Sequence, residues 1–255
     1  MISHAEREVD LSILETLRPI VDSTVDRLRN RNFECDPLMG AEYSRITSVV
    51  SSAYKRHGHI LEAAILEGLR SFDRFKVWND PRLAISRPAE ALASTYMNNP
   101  AAALGANIAH DGVGERTLQV DLLVHDRERN SVSSYEIKRG AGTHDAGKRR
   151  SMLRDLLCTQ VILKSYGEQH LNLNCDSAHS HIIIYYGAED LGRPFTLNRE
   201  DLDEHFGVPL VEQVEEVNAY YRGQIEQLLA TPATESGIRV GSQPDVDALL
   251  RELGI

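Results

Sequence analysis

Two patterns of apolar residues run through the chain. Spacings of three and four mark helices, and short β-branched runs between polar turns mark strands. Ala5 to Arg31 places Val9, Ile13, Leu17, Ile20, Val21, Val25 and Leu28 on a helical spacing, with Pro19 expected to kink or divide the helix. His57 to Phe72 is a second helix, with Leu61, Ile65, Leu66, Leu69 and Phe72 on one face, and Asp73 to Trp78 supplies a strand. Arg87 to His110 reads as helix and then loop, broken at Asn99-Pro100. Two apolar runs, Leu118 to Val124 and Val132 to Ile137, flank the polar segment Asp126 to Asn130 and predict a hairpin. A helix over Asp145 to Tyr166 follows, then a polar loop over Asn172 to Ser180 and a buried strand over His181 to Gly187. Asn198 caps a short helix beginning REDL, Val208 to Leu229 forms a longer one, and Pro244 to Leu253 a last one beyond a linker at Thr231 to Gln243. Between Lys55 and Gly187 the order is helix, strand, strand, strand, helix, strand.

The hairpin is where chemistry gathers. A turn centred between Glu128 and Arg129 sets Asp121 directly opposite Glu136. Side chains repeat every two residues along a strand, so Lys138 shares the face of Glu136 and is expected opposite Gln119. Two carboxylates side by side on an apolar hairpin repel unless a cation lies between them, and a hard divalent ion with oxygen ligands is suited to that role. Glu62 lies about 45° from the centre of the apolar face of its helix, so it points toward the core. Pairing with Arg56 or Arg70 at the helix border is the competing explanation for Glu62.

Asp121, fourteen residues, then Glu136-Ile137-Lys138 resembles the signature of the PD-(D/E)xK nuclease superfamily, to which many type II restriction endonucleases belong. Val120 stands where the name-giving proline would be. With five lysines and 38 acidic residues in 255, an acid two places before a lysine is close to a chance event, so the arrangement around the triplet carries the resemblance. The resemblance implies an α/β fold with a restriction-endonuclease-like αβββαβ core, a mixed central sheet flanked by helices, and N- and C-terminal helical additions. It implies one nuclease domain over residues 1–255, with the core at about 55–187 and helical regions at 1–54 and 188–255. It further implies a Mg2+-dependent DNA endonuclease, with Mn2+ as a substitute, of the sequence-specific restriction type. Asp121, Glu136, Lys138 and Glu62 would be catalytic. Asp121, Glu136, the Ile137 carbonyl and Glu62 would ligate the metal. A palindromic duplex substrate would call for a homodimer. A repair, defence or RNA-directed nuclease of the same fold stands as the alternative, as does an inactive nucleic-acid-binding protein.

Charge changes the picture locally. The chain carries a net charge of −10, which disfavours loose attachment to a polyanion. Lys138 to Arg154 nevertheless holds six basic residues against one acid, and Arg139, Lys148, Arg149 and Arg150 are the candidate contacts to DNA phosphates. A solvated basic helix face is the plainer alternative.

Composition is that of an ordinary globular protein, 42% hydrophobic and 26% charged. No apolar run reaches the roughly 18 residues of a membrane span, and the start lacks the layout of a signal peptide. Three cysteines without a CxxC pair suit a reducing cytoplasm. His170, Cys175, His179 and His181 are zinc-ligand types at a spacing outside the common finger patterns, and ordinary loop histidines are the preferred reading. His57 and His59 flank Gly58 and are expected to cap a turn. GAGTHDAGK at 140–148 lacks the Gly-Lys-Ser/Thr of a phosphate loop, and no Gly-x-Ser-x-Gly elbow is present.

Overall fold

The computed structural model describes residues 12–31, 33–140, 145–187 and 191–231, with the backbone of 238–239. The helix expected at Pro244 to Leu253, the start of the one at Ala5 to Arg31 and most of the linker lie outside the described residues. In chain order the elements are α1 (Ile13–Arg29), β1 (Phe33–Glu34), α2 (Gly40–Arg70), β2 (Phe75–Asn79), β3 (Arg82–Ile85), α3 (Arg87–Thr95), β4 (Arg116–Gln119), β5 (Leu122–Asp126), β6 (Ser131–Lys138), α4 (Ala146–His170), β7 (Ser177–Ile184), β8 (Thr196–Asn198), α5 (Leu202–Phe206), α6 (Leu210–Ala230) and β9 (Ile238–Arg239). The described residues divide into two compact units, one drawn from Leu61–Glu215 and the other from Leu14–Ile60 with the chain from Glu216 onward.

The second unit is helical, with one short parallel strand pair, β1 with β9. Leu17, Val21, Val25 and Leu28 of α1 are buried as the pattern predicts, whereas Ile20 is half exposed. Helix α1 runs through Pro19 undivided. Pro19 and Glu15 are both exposed, so water can satisfy the Glu15 carbonyl that the proline leaves unbonded. Helix α2 begins at Gly40, well before the expected His57. His57 therefore caps no turn: it is buried inside α2, 2.9 Å from Asn218 Oδ1, and stacks on Tyr221 at 5.7 Å. The Tyr221 hydroxyl in turn donates to the Ala53 carbonyl at 3.0 Å.

The first unit is mixed α/β, built on a five-stranded sheet in the order β2-β5-β6-β7-β8. Strands β2, β5 and β6 pair antiparallel, while β6, β7 and β8 pair parallel. Helix α4 makes the long connection that a parallel β6–β7 pair requires. Its N-cap Asp145 accepts from the Lys148 N–H at 2.9 Å, and Leu156 to Leu163 is buried throughout. The β5–β6 register is the expected one, with Leu122 opposite Tyr135 and a turn over 127–130. The Asp126 carboxylate builds that turn, accepting from the N–H groups of Glu128 and Arg129 at 3.0 and 3.1 Å and from the Arg74 guanidinium at 2.5 and 2.9 Å. Arg74 holds the Asp126 carboxyl below its usual range even though burial alone would raise it.

Three expectations about this unit change. Leu118 to Val124 is two strands in two sheets: Leu118 pairs with Leu83 in the separate β3–β4 sheet, and Leu122 starts β5. The chain switches sheets at Val120-Asp121, where Val120 N–H bonds the Pro81 carbonyl and the Asp121 carbonyl accepts from Asp80 N–H. An apolar run carries no record of such a switch. Gln119 accordingly pairs with Arg82, and the register partner of Lys138 is Ile184 of β7. Strand β7 also begins at Ser177, inside the expected loop, because Gln160 of α4 binds both the Ala178 carbonyl and the Ser180 N–H, at 2.9 and 2.8 Å.

Candidate active site

Even-numbered residues of β6 and β7 face α4, and with them Glu136 and Lys138. Asp121 precedes Leu122 by one residue and stands level with Glu136. Its Oδ2 accepts the Ile137 N–H at 2.5 Å, which ties the loop before β5 to the middle of β6. Lys138 Nζ donates to Glu136 Oε1 and lies 4.0 Å from Asp121 Oδ2. The expected convergence of Asp121, Glu136 and Lys138 is therefore present. Glu62 of α2 is half-buried, and its charge acts on Lys138, whereas Arg70 pairs with Glu67 at 2.8 Å. The Ile137 contact to this group runs through its N–H.

Burial and mutual charge act together on the cluster. Burial pushes the Glu136 carboxyl above its usual range, with Asp121 and Asp155 adding to the rise and Lys138 opposing it. Burial would lower the Lys138 ammonium, but Glu136, Asp121 and Glu62 outweigh that and hold it above its usual value. The Lys138 ammonium therefore offsets only part of what burial and neighbouring charge do to Glu136. Among the described residues no three His, Cys, Asp or Glu side chains are arranged as they stand to hold a metal ion. The donors are carboxylate and backbone oxygens, the kind a hard divalent ion takes, and their excess negative charge is what such an ion would relieve.

Asp155 is a participant that periodicity alone did not single out. It lies in the α4 stripe Met152, Asp155, Leu156, Thr159, and that spacing was the available signal. With Glu136 and Gln119 it borders a cavity of about 110 Å3 beside the carboxylates. Arg116 of β4 holds Asp155 at 2.8 Å and Glu90 of α3 at 2.5 Å, so the β3–α3–β4 insertion braces this side of the site. Gly140 follows Lys138 at φ +81°, where a Cβ would stand 2.6 Å from the Gly187 nitrogen. Only glycine permits that close approach past the ends of β6 and β7.

The expected phosphate contacts fall in two places. Lys148, Arg149 and Arg150 are exposed on the first turns of α4, and the two arginines line a groove of about 320 Å3 with Met97, Asn98, Leu153 and Leu191. Arg139 is half-buried, its guanidinium 5.3 Å from the Tyr186 ring centroid.

The four-residue zinc grouping does not assemble. His170 pairs with His110 at 2.8 Å, and Cys175 is buried among Leu123, Val132, Leu163 and Ala178. His179 and His181 stand on the opposite face of β7, apart from both. No helix among the described residues is long and apolar enough to cross a membrane. Comparison with protein-family models, with curated proteins and with solved structures finds no match.

Proposed function

We propose that this chain is a Mg2+-dependent endonuclease acting on duplex DNA, with a restriction-endonuclease-like core and sequence-specific cleavage of the type II restriction kind. The observation that carries the reading is the meeting of Asp121, Glu136 and Lys138 on one face of a mixed sheet, with Glu62 close enough to act on the lysine. Asp121 and Glu136 would hold the ion, with Glu62 and the Ile137 carbonyl as further oxygens. Bound there, a hard divalent ion acidifies water and offsets charge building on the phosphate. Lys138 already has its ammonium among these carboxylates. It would orient the attacking water or donate to the phosphate oxygens that gain charge in the transition state. Lys148, Arg149 and Arg150 would hold flanking phosphates from the first turns of α4, and Arg139 from just past the end of β6. Hydrolysis would leave a 5′-phosphate and a 3′-hydroxyl. Cutting both strands of a palindrome would take two copies of the chain.

The test is incubation of plasmid and phage DNA with the protein and Mg2+ or Mn2+, followed by end sequencing. Discrete fragment ends that disappear in Glu136→Gln and Lys138→Ala are expected. No cleavage of duplex, single-stranded or methylated DNA, or of RNA, with either ion would reject the enzyme reading.

A further inference from the structure

The helical unit leaves an apolar stripe of α2 in water. Tyr43, Thr47, Val50, Tyr54 and Gly58 recur at spacings of three and four, with Met39 one step before Tyr43, so they share one side of the helix. Leu38 beside them is 97% exposed, Tyr43 64%, and Val50, Tyr54 and Met39 between 42% and 48%. The same stretch buries Val49, Ala53 and His57 instead. We propose that this stripe is the contact surface for a second copy of the chain, two α2 helices packing antiparallel across a two-fold axis level with Ser48-Val49.

Self-complementarity carries the assignment. A two-fold axis at that level sets Tyr43 beside the partner's Tyr54, Thr47 beside the partner's Val50 and Met39 beside the partner's Gly58. Each layer then joins two different residues, so side chains of one helix can fill the gaps of the other. A Cβ on Gly58 would meet nothing within 4 Å, so the surface is open where the long Met39 side chain would arrive. Between Tyr43 and Tyr54 the one charged side chain is Arg45, and it turns away to donate to the Leu228 carbonyl at 2.9 Å. No like charges therefore meet within those layers when two copies face each other.

Area and order point the same way. The exposed part of Leu38, Met39, Tyr43, Val50 and Tyr54 amounts to roughly 600 Å2, as large as the largest patch of a typical monomer and most of the ~800 Å2 per partner that a stable dimer buries. The exposed leucine is also held in place. The N–H groups of Leu38 and Met39 both donate to the Asp36 carboxylate, at 2.8 and 3.2 Å, and Ser44 Oγ accepts from the Asp36 N–H at 2.8 Å. A contact ordered in advance loses little entropy when a partner covers it. The proposal does not rest on the nuclease reading, although it supplies the second copy that cutting both strands of a palindrome would take.

Sedimentation equilibrium of the full-length chain, without DNA, tests the surface. A monomer–dimer equilibrium is expected, weakened more than about tenfold by Val50→Glu or Tyr43→Lys, with the circular dichroism spectrum unchanged because both positions are exposed. Orientation is read by oxidising an equimolar mixture of Tyr43→Cys and Tyr54→Cys chains, each also carrying Cys35→Ser. Mixed disulfide dimers should exceed those of either chain alone, because like positions stand about 16 Å apart along an antiparallel pair. A monomer at every concentration up to ~100 µM, a dimer indifferent to both substitutions, or crosslinking that favours like chains would overturn the proposal. Each readout is independent of DNA cleavage.

Discussion

Strand β6 presents two chemistries on its two faces, and the contrast teaches how burial treats acids and bases. Toward α4 stand Glu136 and Lys138, both charged groups held in mutual contact and both titrating above their usual values. On the other face stands Tyr135, against His181 and His205, which burial drives to neutrality. Low polarity penalises charge on either side. One face answers with an ammonium among carboxylates, the other by releasing protons. The first arrangement is the one the proposed hard cation and phosphate would use. The second holds neutral imidazoles against a tyrosine.

Removing charge from the α4 face should have the largest effect. Glu136→Gln or Lys138→Ala should lower DNA hydrolysis by about 1000-fold or more, read as initial rates on plasmid. Glu136→Gln should leave the melting temperature unchanged or higher, since it removes a carboxylate whose charge burial disfavours. A large fall in stability with intact turnover would make Glu136 a structural residue.

Acid should act mainly on the other face. An unfolded histidine protonates near pH ~6.5, whereas folded His181 and His205 do so at about 3 and about 4. Between those limits the unfolded chain binds more protons, so the stability contributed by the neutral imidazoles is full above pH ~6.5 and falls as pH drops toward ~4. Urea titrations at a series of pH values should show a loss of roughly 3 kcal/mol for each of the two histidines over that window. A His181→Gln, His205→Gln variant should have a flatter profile, and an unchanged slope would place the acid sensitivity elsewhere.

A smaller effect is expected at Asp126, whose turn aligns β5 with β6 and so presents both faces. Asp126→Asn should destabilise by about 2 kcal/mol in denaturant, by weakening the Arg74 pair and the two turn hydrogen bonds. Smallest of all, Arg149→Ala and Arg150→Ala should each reduce the salt dependence of DNA binding by a slope of about 1, with little change in stability.

Much of this was legible along the chain. The hairpin register followed from turn residues and apolar flanks, and it correctly set Asp121 level with Glu136. The inward lean of Glu62 and the start of α4 followed from helical spacing, whereas α4 continues a turn beyond the expected Tyr166, to His170. The early start of β7 was hidden because Ser177 and His179 are polar in composition yet line a cleft. Asp155 was hidden because an acid in an apolar stripe reads as an interruption until its partners Arg116 and Glu136 are known.

By itself the sequence determined which residues share a face, because the two-residue period of a strand and the 3.6-residue period of a helix are properties of the local backbone. That is enough to group Glu136 with Lys138, and His179 with His181. Only the tertiary structure decided their neighbours: Ile184 rather than Gln119 beside Lys138, His205 rather than His170 or Cys175 near His181. Strand partners and chain reversals depend on contacts between segments far apart in sequence, and hydrophobic patterning records that a surface is buried without recording what buries it.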